Sequence, residues 1–464
     1  MLWWLVMAGK GVDAQCQAKA SDQVVSSFTF VFFLYFTLDF FLRFSVRIPG
    51  YSSLRPTLVA VAILLLLLFV QREKLAEKFR HPVFKPVFAL LAYIVISLPL
   101  VEWPGSVIRN NLDPFVKAIV FLFFTALIVD TRRRLVWFVG VFVFCQLVRV
   151  LEPLYLNLTQ GYWGSSTYLS TAEFANRLSG APADVINPNE LGFVIVTVIP
   201  FLHYLLWTGR WKLKAVYLIL MPLLLYALIL TMSRGAFLAL MVVSFFIFKE
   251  SRHKAALAGV AVMVIVAAFS VMTPVQKERY LSIIDRDVEG GASAEGRIQG
   301  MIQEFQLGLT RPVVGHGLGT TGETKANKLG RRQASHNLYA ELLIEIGAIG
   351  FVIFINFLVR TFRQLKRLQR EFGRSDRVEI SFYENLNKVL ICLFWMYAVY
   401  SINYWGLSQY YWYLFGGLSI ALGRLAMSEK SDSTPAEGTA IIEYKESGRF
   451  NLAEKLRDGR HHFG

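Results

Sequence analysis

The sequence predicts an all-α fold of the polytopic membrane class, a helix bundle with about 12 transmembrane helices. Three observations lead there. Apolar residues are 55% of the 464, and mean hydropathy is +0.46. Charged residues are only 17%, below the quarter usual for a soluble domain. The apolar residues also come in long runs that a soluble core could not hide. The same figures exclude disordered, collagen-like and coiled-coil chains.

The candidate spans, in order, are 24–42, 56–71, 84–101, 114–130, 135–151, 190–207, 213–230, 233–248, 255–273, 337–359, 388–404 and 410–427. The second and eighth are short, and the seventh and eighth meet between Leu230 and Gly235 with almost no loop. Orientation follows from Lys and Arg in the short loops. With the N-terminus inside, loops 72–85, 131–134, 208–214, 249–254 and 360–388 carry 22 basic residues. The short loops of the other side carry 6. Both termini are therefore expected in the cytoplasm. Arg43, Arg47 and Arg55 are the misfit, falling outside. A miscounted helix or an anion-binding role would explain them, but tolerance of the charge rule is the simpler account.

Two outside segments are large. Residues 152–189 carry turn formers and aromatics (Tyr162, Trp163, Tyr168) and end in Asn187-Pro188-Asn189-Glu190. Residues 274–336 are too long for their basic residues to count in the charge rule. Within them Ser293–Arg297 reads as a helix start. Ile298, Met301, Ile302, Phe305 and Leu309 follow on one apolar stripe, which predicts a helix lying on the membrane surface over the bundle. Gly315-His316-Gly317-Leu318-Gly319 reads as a mobile turn. The domain division is a membrane domain over 1–427, loops included, and a flexible cytoplasmic tail over 428–464.

Composition says little about redox or targeting. Cys145 and Cys392 lie in apolar runs and Cys16 in a short polar stretch, so neither a disulfide framework nor a metal spacing is present. Met1–Ala8 is followed by Lys10 and polar residues, and no cleaved signal peptide is expected. The net charge of +15 is accounted for by cytoplasmic loops, so no nucleic-acid partner is expected.

Of seven histidines, only His316 and His336 face outside. His336 follows Ser335, a good N-cap, and opens the apolar helix Asn337–Val359. A histidine in the first turn feels the positive end of the helix dipole, which disfavours imidazolium, and a general base must be neutral. The plainer reading is an interface histidine that helps to cap a helix. Arg234, in Thr231-Met-Ser-Arg-Gly-Ala236, is held at the membrane boundary. There it must snorkel or find an anion, and its planar fork suits phosphate. Arg297 is a further outward cation.

Other signals are weaker. Asp285-Arg-Asp287 has the look of a metal-nucleotide site but reads as solvated surface. Glu345 is turned about 180° from His336 on the helical wheel and is expected to bond across to a neighbouring helix rather than orient the imidazole. Gly315–Gly319 lacks the strand-to-helix setting of a phosphate loop.

At these residues the sequence resembles the bacterial O-antigen ligase and polymerase superfamily of polytopic glycosyltransferases. The resemblance rests on Thr231-Met-Ser-Arg-Gly-Ala236, Gly315-His-Gly-Leu-Gly319, the stretch Ser335–Gly350, and Asn187-Pro-Asn-Glu-Leu-Gly192. It covers roughly residues 187–360, and the rest matches in hydropathy and span count alone. It implies a GT-C-like bundle of about 12 spans with a helical periplasmic cap, in the inner membrane. The active site would face the periplasm, with a glycan on undecaprenyl pyrophosphate as donor and an acceptor hydroxyl on lipid A core or another saccharide or lipid. Transfer would invert the anomeric carbon and need neither metal nor cofactor. The family's histidine matches His336, and its pyrophosphate-binding arginines match Arg234 and, less closely, Arg297. Ser335, Asn337 and Asn189 are expected to support them. Physical chemistry agrees, because pyrophosphate leaves readily and needs only cations and a base for the incoming hydroxyl.

Ligation is the first expectation, and polymerisation by the same chemistry the alternative. A transporter or flippase for lipid-linked saccharides is the rival of a different class. It would show pseudo-symmetric halves with broken helices at mid-membrane, and no such repeat is visible.

Overall fold

The computed structural model describes residues 24–164, 176–281, 291–373, 381–404 and 406–432. These residues are helical, with no strand among them. In chain order the helices that matter here are α1 (Ser27–Leu42), α2 (Pro56–Val70), α3 (Phe84–Ser97), α4 (Leu112–Ile128), α5 (Arg132–Gln160), α6 (Pro188–Leu202) and α7 (Trp211–Thr231). Then come α8 (Arg234–Glu250), α9 (Lys254–Val271), α10 (Gly291–Gly308), α11 (Thr321–Leu329), α12 (Leu338–Phe372), α13 (Ser381–Tyr400) and α14 (Tyr410–Asp432). Asp285, Asp287 and Tyr168 lie outside the described residues, as does the expected tail beyond Asp432, whose first five residues continue α14.

Each of the twelve apolar runs falls on a helix. By length and composition, six helical stretches are able to cross a membrane, and a seventh if the pair Arg72–Arg80 and Phe84–Leu100, bent by 101°, is one span. The chain is thus an all-helical membrane protein, and among its described helices six or seven stretches meet both conditions. The others differ in what they lack: α13 and α14, at 20 and 23 residues, are long enough but rich in polar and aromatic residues. Helix α1 has 16 residues, short of the roughly 20 that a bilayer core requires. Helix α5, at 29 residues, outruns the bilayer and carries Glu152 and Asn157 beyond the apolar run.

Aromatic packing fixes the middle of the bundle. Phe33 of α1 stacks on Phe138 of α5 with ring centroids 5.0 Å apart, and Phe36 meets Phe121 of α4 at 5.3 Å. Helix α4 lies along α14, and Phe193 of α6 sits against Tyr397 and Tyr400 of α13 at 5.3 and 4.8 Å. Such offset and edge contacts each add about 0.5–1.5 kcal/mol to the area they bury.

The basic loops gather at one end. Lys78 and Arg134 both grip Asp130, at 2.9 and 2.7 Å. Asn385 donates to Thr208 at 3.2 Å, and Arg132 lies over the ring of Tyr383. The loops expected on one side of the membrane therefore do share one side. The misfit arginines are at the other end, where Arg47 forms a two-pronged pair with Glu152 and Arg43 lies 4.0 Å from Asp184. Neutralisation by Glu152 would account for Arg47 as an exception to the charge rule.

Helix α12 is broken at Gly347, where φ is 61° and ψ −172°. The open turn is filled by loop 312–317. His316 N–H donates to the Ile344 carbonyl (2.7 Å), Gly317 N–H to Glu345 (2.9 Å), and Ala348 N–H to Pro312 (2.7 Å). Gly315 must be a glycine, since its φ is +75° and a Cβ there would lie 2.5 Å from the Glu345 carbonyl oxygen. Backbone freed from a helix at membrane depth is tolerable only when protein satisfies it, and here it does.

Candidate active site

The end of the bundle opposite the basic loops collects most of the expected site residues. Helix α6 starts there with a capping box. The Asn187 side chain accepts the N–H groups of Asn189 and Glu190 (2.9 and 3.0 Å), and Glu190 accepts the N–H of Asn187 (3.1 Å). Pro188 occupies the first helical position, where its missing N–H costs nothing. Gly192 lets α8 approach closely, because a Cβ on it would lie 2.6 Å from the Ala236 Cβ.

Helix α7 ends at Thr231, Met232 turns left-handed (φ 48°), and Ser233 caps α8 by accepting the Ala236 N–H at 3.3 Å. Arg234 is therefore the first residue of α8, half-buried at its N-terminus. Arg177, fully buried, ties this turn to Asn189. It donates to the Thr231 carbonyl at 2.9 Å and to Asn189 Oδ1 at 2.8 Å. The Asn189 carbonyl in turn accepts the Tyr400 hydroxyl at 2.7 Å. Arg177 escaped sequence reasoning, although it is the one basic residue of segment 152–189.

The His336 region differs from expectation. The N-cap of α12 is Asn337, whose Oδ1 accepts the N–H groups of Tyr339 and Ala340 at 2.8 and 3.1 Å. Ser335 is not the cap, and His336 stands one residue before it, exposed and outside the first turn. An asparagine wins because its carbonyl reaches two donors, whereas the Ser335 hydroxyl is spent on Glu304 (2.7 Å) and on accepting the Asn337 N–H (3.1 Å). The Gln333 amide nitrogen lies 3.0 Å from His336 Nε2, and an N–H donated there requires an unprotonated nitrogen.

Glu304 and Lys325, also missed, hold this segment. They form a buried ion pair between α10 and α11. Lys325 donates to the Ala334 carbonyl (3.1 Å), and Glu304 accepts the Ser335 hydroxyl and the His336 N–H (3.4 Å). The signal was present in the sequence. Met301, Glu304 and Leu307 recur at helical spacing on one face of α10, and a carboxylate on a buried face needs a partner. The apolar stripe faces the other way. Ile298, Ile302, Phe305 and Leu309 are exposed, while Glu304 and Leu307 are buried, so α10 packs on α12 through its mixed face. Arg297 lies two turns before Glu304 on α10, and its side chain is outside the described residues.

The residues that follow Arg234 and His336 both approach the end of α13. A Cβ on Gly235 would lie 3.5 Å from the Tyr400 ring and 4.0 Å from the Asn403 Cβ. Leu338 N–H donates to the Ser401 carbonyl at 2.9 Å. The two candidate turns therefore both lie beside residues 400–403, one in close packing and the other through a hydrogen bond.

His316 is no part of a mobile turn. It is fully buried, paired through Nδ1 with Glu102, 3.0 Å from the Thr310 hydroxyl through Nε2, and stacked on Trp103. Burial lowers its imidazole below the ordinary 6.5, against the pull of Glu102. Glu345 bonds to Gly319 N–H and the Thr321 hydroxyl, both at 2.7 Å, away from His336 as its position on the wheel required. Among the described residues no three His, Cys, Asp or Glu side chains converge as a metal site would need.

Residues 218–355 match the family model described as O-antigen ligase. The matched stretch runs from within α7 to the middle of α12. It includes Arg234, Arg297, Glu304, Lys325 and Ser335–Asn337 and leaves out Arg177 and Asn189. No curated protein matches the chain. This match, over less than a third of the chain, supports the likeness to the O-antigen ligase and polymerase superfamily, a group of membrane enzymes of polysaccharide biosynthesis that act on lipid-linked saccharides.

Proposed function

We propose that the chain is an O-antigen ligase-like glycosyltransferase that moves a glycan from undecaprenyl pyrophosphate to an acceptor hydroxyl. The acceptor is on lipid A core or a comparable molecule at the periplasmic face of the inner membrane. The observation that carries the reading is that the turns of Arg234 and His336, both within the stretch matched to the ligase family, lie beside residues 400–403 through Gly235 and Leu338. Arg234 and Arg297 hold the pyrophosphate oxygens. His336 takes the acceptor proton on Nε2 as the acceptor oxygen bonds to the anomeric carbon. The bond from that carbon to the pyrophosphate breaks on the opposite face, which inverts the carbon. Its electrons leave on undecaprenyl pyrophosphate. Arginine keeps its proton at neutral pH and serves here in place of a metal. Ser335 and Asn337 shape the turn that carries His336, and Asn189 steadies the Arg234 turn through Arg177.

The same reading gives about 12 membrane crossings, a helical cap built from α10 and α11, and both termini in the cytoplasm. A polymerase would run this chemistry with a growing saccharide as acceptor. The test is purified protein in liposomes supplied with lipid-linked glycan and acceptor. Release of undecaprenyl pyrophosphate coupled to glycan transfer supports the reading. Movement of intact lipid-linked glycan between leaflets, with no bond broken, would replace it with a flippase.

A further inference from the structure

Two of the cavities at this end of the molecule lie on either side of the segment joining α13 to α14, and their linings are opposite in character. The cavity on the α6 side, about 460 Å³, is walled by rings, among them Phe40, Phe41, Phe193, Tyr404 and Tyr410, with Arg149 and Glu190. The cavity on the His336 side, about 340 Å³, has no ring except Pro114. Asn111, Thr321, Arg332, Gln333, Ser335 and Ser408 line it, with the carboxylates of Glu341 and Glu345 at its floor.

We propose that the ring-free cavity is the acceptor subsite and that it takes a sugar residue. A lining of amides, hydroxyls, a guanidinium and carboxylates offers donors and acceptors all round, which a polyhydroxylated ring uses and an acyl or prenyl chain does not. Glu341 strengthens the case. It is buried, and its Oε2 accepts the N–H groups of Gly406 and Leu407 at 2.7 and 3.2 Å. Its carboxyl is thereby held fixed at the cavity wall, within reach of a sugar hydroxyl.

Gln333 connects the cavity to the chemistry. Its side chain lines the cavity, and its amide nitrogen sits 3.0 Å from His336 Nε2. That is the place an acceptor hydroxyl must occupy to surrender its proton. Gln333 is exposed and can swing aside at little cost when a sugar hydroxyl arrives.

The proposal rests on His336 being the base, and its test separates the two ideas. Gly322 borders the cavity, and a Cβ there would meet nothing nearer than 3.6 Å, so Gly322→Phe fills the cavity without displacing backbone. The probes are undecaprenyl pyrophosphate for the donor site and size-fractionated oligosaccharides released from the source cell envelope for the acceptor site. Gly322→Phe should raise the acceptor KM about tenfold or more and leave undecaprenyl pyrophosphate affinity and the melting temperature unchanged. Arg332→Ala and Gln333→Ala, both exposed, repeat the measurement if the phenylalanine variant does not fold. An unchanged acceptor KM in all three, or a loss of donor affinity instead, overturns the subsite. If the wild type binds the oligosaccharides and Gly322→Phe abolishes that binding, yet no glycan is ever transferred, the subsite stands and the transferase reading falls.

Discussion

Glu304 and Lys325 form a buried pair that grips three consecutive residues: Ala334 through the lysine, and Ser335 and His336 through the carboxylate. Two helices outside the main spans, α10 and α11, thus set the position of the candidate base. Removing one partner of a buried pair typically costs about 3–5 kcal/mol, because the other charge is left unpaired. Glu304→Gln and Lys325→Met should each lower the melting temperature. The double variant Glu304→Leu/Lys325→Met should recover stability but not turnover, since Ser335 and His336 still lack their acceptor. Full activity in the double variant would show that the pair only holds the cap together.

His336→Ala should reduce turnover by about 10²–10⁴, the usual worth of a general base. The protein should still fold and bind undecaprenyl pyrophosphate, because the arginines remain. Turnover and lipid binding are measured on the same detergent preparation. Wild-type turnover, or equal loss of binding and catalysis, would remove His336 from the role of base.

Arg234→Lys should be nearly as damaging as Arg234→Ala. At the first position of α8 a forked donor can hold two phosphate oxygens, whereas an ammonium is a single point of charge. Turnover of the lysine variant close to wild type would mean that charge alone suffices.

His316 makes a prediction about pH and stability. Its imidazole is held below 6.5 by burial, so the folded state prefers the neutral ring. A base with a depressed folded value stabilises the protein above its unfolded value and loses that contribution as pH falls below about 6.5. His316→Gln should therefore flatten the fall in melting temperature between pH 7 and 5. His316→Ala should cost about 1–3 kcal/mol by leaving buried partners unsatisfied, with little effect on donor binding. Thermal melts across that pH range decide both.

Turnover should continue in EDTA. The proposed cations are arginines, and they hold pyrophosphate without help. Loss of activity on chelation, restored by Mg²⁺ or Mn²⁺, would point to Asp285 and Asp287 first.

Every helix of the bundle was legible as an apolar run, because hydropathy depends on composition that is local in sequence. Helix ends were less legible, since α1 stops at Leu42 only because Arg43 turns left-handed. Arg234 was legible from its place between two runs. That Glu304 on a buried face needs a partner could be read from the sequence, but not that the partner is Lys325, 21 residues away and joined to it through a tertiary contact. The Asn337 cap was misassigned to Ser335 because both residues are good caps. Only the Glu304 carboxylate, brought in by α10, decides which of them is free to serve. His316 was misread for a related reason, since glycines on either side suggest mobility until the broken helix they fit against is seen.

That break at Gly347 has a mechanical consequence. The nine residues before it, Leu338–Ile346, pass backbone bonds sideways to loop 312–317 at the point where a continuous helix would pass them onward. The tip carrying His336 is therefore coupled to the extramembrane helices as firmly as to the shaft below. A tilt of the lower part of α12 in a thicker or thinner bilayer can be absorbed at the glycine hinge. The distance between the candidate base and the turn of Arg234 is then governed by the cap and by residues 400–403, away from the lipid.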